Sequence, residues 1–126
     1  PPSRRASLAA PRRLGGGPGH SRHWALQPQR LDIVDELSGR GEHLVKCHFH
    51  LHPDVRVSDF DGHGLRLRSA NGQALARVFL DPGFEWSLCE GLWYPGFGLA
   101  VPNRQLHGQR HGTLPLRCTT TLHLEA

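Results

Sequence analysis

Three histidines, His48, His50 and His52, alternate with Cys47, Phe49 and Leu51 in one short run. On a β-strand this places the imidazoles and Lys46 on one face and Val45, Cys47, Phe49 and Leu51 on the other, the period-2 pattern of a half-buried strand. Residues two apart on a strand lie roughly 6.5–7 Å from each other, so two imidazoles of His48, His50 and His52 could converge on one metal ion. No carboxylate or cysteine stands beside them at the spacing of a metal motif. The stripe therefore reads better as a solvated or partner-facing surface than as a metal centre.

Trp86, Trp93 and Tyr94 are the aromatic candidates. Their flat faces suit the apolar faces of pyranose rings, while large aromatics are also what a sandwich core uses to fill space. Asp35 with Glu36, and Asp59 with Asp61, are neighbouring acids of the kind glycosidases employ. Adjacent residues on a strand point to opposite faces, so Asp35 and Glu36 read better as solvated or cross-strand-paired acids. Cys47, Cys89 and Cys118 lack any Cys-x-x-Cys spacing and sit in apolar surroundings, which reads as buried thiols, with one disulfide left open. No nucleophile elbow, phosphate loop or nucleotide fingerprint is found.

The elements that would position these residues are strands. Hydrophobic content is 37%, below the roughly 45% of ordinary globular chains, and 15 glycines and 10 prolines in 126 residues divide the apolar segments with turns. Arg30 to Asp54 reads as a hairpin around Ser38-Gly-Arg-Gly41. Asp61-Gly-His-Gly64, Asn71-Gly72 and Asp81-Pro-Gly83 are further turns. Glu85 to Cys89 and Leu92 to Tyr94 read as separate short strands, and Leu114 to Leu124 as one long one. Nine or ten short strands with turns every eight to twelve residues predict an all-β fold, an antiparallel β-sandwich.

The net charge of +4 is unevenly placed. Six of the 15 basic residues fall in the first 30 positions, which hold no acid, so residues 31–126 carry nine basic residues against all 11 acidic ones. Residues 1–19 read as a flexible Arg/Gly/Pro-rich leader before a sandwich domain over 20–126. Basic residues are not interleaved with aromatics, which argues against nucleic-acid recognition. No run approaches the roughly 18 apolar residues of a membrane helix. The start at Pro1 and the late onset of the pattern suggest a piece of a longer chain.

Val34-Asp-Glu-Leu37, Phe49-His-Leu-His-Pro-Asp54 and the Trp93-Tyr94 turn, in this order and spacing, resemble the C-terminal β-sheet region of the heparinase II/III-like family of bacterial polysaccharide lyases, over roughly residues 20–126. The resemblance implies a parent enzyme with an N-terminal α/α toroid that cleaves uronic-acid polysaccharides by β-elimination, in the bacterial periplasm or cell envelope. The family's catalytic tyrosine lies on the toroid, so Tyr94 does not match it, and the family's Gly-His-x-His segment is absent. The implied catalytic set in this chain is thus empty. Any divalent metal belongs to the parent enzyme, and the expected partners are the toroid, an acidic polysaccharide and, once the toroid is cut away, a second copy of the chain. His50, His52 and Arg56, at the end of the best-matched strand, with Trp86, Trp93 and Tyr94, are the candidate substrate contacts. A free-standing carbohydrate-binding module built on the three aromatics, and a histidine-rich metal-binding β protein, are the competing readings.

Overall fold

The computed structural model describes residues 4–10, 19–96 and 98–125, all of whose regular structure is strand. Ten strands follow in order: β1 (Arg4–Ala10), β2 (Gly19–Gln27), β3 (Arg30–Ser38), β4 (Glu42–His50), β5 (Arg56–Ser58), β6 (Gly64–Arg68), β7 (Ala74–Phe79), β8 (Glu85–Trp93), β9 (Val101–Thr113) and β10 (Leu116–Leu124). They form a seven-stranded sheet in the order β1-β2-β3-β10-β7-β6-β5 and a three-stranded sheet in the order β4-β9-β8. Every pairing is antiparallel.

Part of the basic leader is thus in the sheet: β1 pairs with β2 from Arg4 opposite Leu26 to Ala10 opposite His20. The rest of the leader, 1–3 and 11–18, lies outside the described residues.

The expected hairpin around Ser38–Gly41 is a corner between sheets. β3 already has β2 on one edge and β10 on the other, so no backbone groups are left for β4, which pairs with β9 instead. Gly39 and Gly41 make the corner with φ of 140° and 78°, a region that costs a side chain but not a glycine. The Asn71-Gly72 hairpin is found as expected, joining β6 to β7 with Gly72 at φ 89°. The two expected strands Glu85–Cys89 and Leu92–Tyr94 are one, β8, which ends at Trp93 and leaves Tyr94 in the connection to β9. β10 begins at Leu116, after the buried Leu114 and the exposed Pro115 have carried the chain back to the large sheet.

Alternation delivers the core. Val45 and Cys47 from β4, Leu65 from β6, Val78 from β7, Trp86 from β8 and Cys118 from β10 all point between the sheets and are buried. Each aliphatic side chain so buried contributes roughly 1.5–3 kcal/mol. Trp86 lies flat on Gly108 across the β8–β9 ladder, where a Cβ would come within 2.7 Å of the ring, and its indole N–H donates to the Asp81 carbonyl at 2.9 Å. Asp81 fastens this end further: its carboxylate accepts the backbone N–H of Gly83 at 2.8 Å and that of Thr119 on β10 at 2.9 Å.

Candidate functional site

Two polar regions stand out, one inside the sandwich and one outside. The inner one centres on Asp35, only 2% exposed. Arg22, its register partner on β2, donates through Nε at 2.6 Å and Nη2 at 3.1 Å; His20 Nε2 lies 2.9 Å away and the Cys47 thiol donates at 3.5 Å. Burial alone would push the Asp35 carboxyl up, but the hydrogen bonds from Arg22 and His20 outweigh it and hold the group below the usual carboxylate range. Burial likewise opposes the Arg22 charge, and Asp35 more than restores it. The Arg22 guanidinium also lies over the Phe49 ring, 4.8 Å from its centroid. The carboxylate is therefore paired across the ladder, as one reading of the sequence had it, though in the core and not in solvent. Its partners leave it no spare capacity for a substrate.

The cysteines are free, with Cys47 and Cys118 buried and Cys89 half-buried. Cys47 beside it and burial together push the Cys118 thiol up and keep it protonated. Asp61 is a turn cap: its carboxylate accepts the N–H groups of His63 at 2.8 Å and Gly64 at 2.9 Å, which hold it below the usual range.

The outer region is the solvent face of the three-stranded sheet. β4 presents Lys46, His48 and His50; the register places Gln109, His107 and Gln105 of β9 beside them, and Glu85, Ser87 and Cys89 of β8 beyond. His48 and His107 are directly opposed, their ring centroids 4.3 Å apart. Partial burial first, then His107, His50 and Lys46, push the His48 imidazole below its ordinary pKa, so it is held neutral. His107 Nε2 faces Gln105 Oε1 at 3.1 Å, Gln105 donates to Asn103 Oδ1 at 3.3 Å, and Asn103 donates to the Leu51 carbonyl at 2.9 Å, a chain of hydrogen-bonded groups running along the sheet. Gly91 makes room for it, since a Cβ there would overlap the Gln105 amide. A hollow of about 250 Å³ opens between Lys46, His48, Glu85, Ser87, His107 and Gln109. Imidazoles and amides with a lysine at the rim suit the hydroxyls and carboxylates of a sugar, held by hydrogen bonds.

The structure divides the sequence-predicted contacts. His50 belongs to this row, and His52 lies past its end with its ring 5.4 Å from Trp93. Tyr94 follows at the β8–β9 tip, 69% exposed. Trp86 is not beside them: it is packed in the core between Phe49 and Phe84. Arg56 is in the other sheet, on β5, donating to the Pro53 carbonyl at 2.7 Å. Gln105 and His107 are the members of this row that the sequence reading missed. Their signal was the alternation Gln105, His107, Gln109 through residues 104–110. His48, His50 and His52, the metal candidates, share a face, but among the described residues no three His, Cys, Asp or Glu side chains group so as to hold a metal ion.

No curated protein matches the chain significantly. Solved structures do match its fold. A heparinase III superimposes with a TM-score of 0.70 at 14% identity over 94% of this chain and 19% of its own. The heparan sulfate lyase HepC of Pedobacter heparinus gives 0.68 at 11% identity over 94% of this chain and 21% of its own. The chain thus spans about a fifth of the length of the solved lyases it resembles. A sequence profile described as heparinase II/III-like, C-terminal, matches residues 6–122, nearly the whole length, and this chain belongs to that family.

Proposed function

We propose that the chain serves as the C-terminal β-sandwich of a polysaccharide lyase, supporting a catalytic α/α toroid and lining one end of its substrate cleft with the outer face of β4-β9-β8. The observation that carries the reading is the match of nearly the whole chain to one fifth of much longer lyases. In β-elimination a base removes the proton α to the uronate carboxyl, the carboxylate is neutralised and the leaving oxygen is protonated. In this reading those steps belong to the toroid, and the residues described here bind and orient: His50, Gln105 and His107 by hydrogen bonds, Lys46 by charge. Leu92, Tyr94, Leu99 and Val101, all exposed at the β8–β9 tip, supply apolar groups suited to packing against the toroid.

The test is ultraviolet absorbance of unsaturated uronates after incubation with heparin, heparan sulfate, hyaluronan or alginate. A longer parent chain bearing the toroid is expected to turn over one of them and the 126-residue chain none; turnover by the short chain alone defeats the placement of catalysis. The pairing of Trp93 with His52 beside an exposed Tyr94 favours a second reading, a carbohydrate-binding module. Calorimetric binding abolished by Trp93→Ala, with no lyase activity in any longer chain, would establish it.

A further inference from the structure

The solvent face of the seven-stranded sheet has the opposite character. Arg56 on β5 is the register partner of Arg68 on β6, Arg66 on β6 that of Arg77 on β7, and His123 on β10 that of Arg77. Directly opposed like charges on neighbouring strands, with Cβ atoms about 5 Å apart, destabilise a sheet unless something neutralises them. Among the described residues none of the four arginines forms an ion pair. Arg68 is tied to the Ser58 hydroxyl at 3.3 Å and the Gly72 carbonyl at 3.4 Å, and Arg56 to Pro53. Arg66 and Arg77 have no hydrogen-bond partner among the described residues. Of the acids nearby, Asp61 caps its turn and Asp32 is held by Arg30 at 3.0 Å and the Thr121 hydroxyl at 2.8 Å, while Asp59 lines the same hollow as Arg66 and Arg77 without forming an ion pair with either.

Arg66 and Arg77 line a hollow of about 350 Å³ together with Phe79, His63 and Gly64, and with Asp59 and the turn-capping Asp61 on the β5–β6 side. Phe79 is 45% exposed and meets the His123 ring edge-on at 5.1 Å. Gly64, opposite Phe79, keeps the floor open: a Cβ there would lie 2.6 Å from the Val78 carbonyl oxygen. An aromatic face beside two unpaired guanidinium groups matches a charged sugar, its ring on Phe79 and its sulfate or carboxylate on the arginines.

We propose that this face binds an anionic polysaccharide strand through Arg66, Arg77 and Phe79, at a site on the far side of the sandwich from the His48–His107 row. The anion site stands on the arginine pairs; the choice of a sugar over another polyanion rests on the lyase reading. The test is titration of the 126-residue chain with a heparin oligosaccharide (sulfates and carboxylates), hyaluronan (carboxylates alone) and single-stranded DNA at several salt concentrations. We expect heparin to bind, Arg66→Gln with Arg77→Gln to weaken it at least tenfold and flatten its salt dependence, and Phe79→Ala to weaken it severalfold. Arg117→Gln, placed elsewhere on the same sheet face, should change little. Hyaluronan binding with the same arginine dependence assigns the contact to carboxylates, and its absence assigns it to sulfates; both support the site. Unchanged heparin affinity in the double variant, no binding of either glycan, or equal affinity for DNA overturns the proposal. A toroid-bearing parent that cleaves no uronate while Arg66 and Arg77 still govern heparin binding defeats the lyase reading and leaves the site standing.

Discussion

Cys47 and His48 are neighbours on β4 and serve two polar regions of contrasting design. Cys47 turns inward to Asp35, where Arg22 and His20 close every open valence of a carboxylate that is 2% exposed. His48 turns outward to a row of imidazoles and amides whose groups satisfy one another only in part. A polar group with all its partners in the protein stabilises one fold, whereas a row with capacity to spare can exchange water for a ligand. The same residue types thus do structural work on one side of a strand and are free to bind on the other.

Asp35→Ala should strike the inner region hardest, because it leaves the partly buried Arg22 guanidinium without its carboxylate. Chemical denaturation should show a loss of about 3–5 kcal/mol. Asp35→Leu combined with Arg22→Met should recover most of it, because an apolar pair removes both desolvation penalties; strictly additive losses would show that the two residues do not act as a pair.

Acid should separate the two regions by their thresholds. The His48 pKa is depressed, so an unfolded chain takes up that proton first, and stability should decline as pH falls below about 6.5 and level off once folded His48 is protonated. Asp35 is also depressed, so its contribution is intact above about 3.9 and lost as pH falls through its lower folded value. Thermal melting across pH should show two separate declines, and only the upper one should vanish in His48→Asn.

The smallest stability effect belongs to the outer row itself. His48→Asn or His107→Asn at neutral pH should change stability by no more than about 0.5 kcal/mol, while weakening any glycan bound at that face. A large loss of stability would make the row structural and erase the contrast.

The fold class was legible because period-2 alternation in 45–51 and turn residues such as Asn71-Gly72 are local signals. The corner at Ser38–Gly41 was not, since its turn chemistry fits a hairpin equally well and only the occupation of both β3 edges by β2 and β10 rules that out. Asp35 was visible as a break in an apolar stripe, but its partner Arg22 depends on the β2–β3 register. The separation of Trp86 from Trp93 could have been read: seven positions on one strand is an odd number, so the two face opposite ways. Splitting β8 into two short strands hid that parity.

The chain changes sheets four times, after β3, β4, β7 and β9, and its tenth strand lies between the third and the seventh. The large sheet is therefore two strand sets, β1-β2-β3 and β7-β6-β5, held together only by Leu116–Leu124. Cys118, 0% exposed at the centre of the core, is supplied by that joining strand. One strand thus acts as the keystone of the sandwich: it covers the edges of β3 and β7 that would otherwise stand open for pairing with another chain, and it fills the core in the same step.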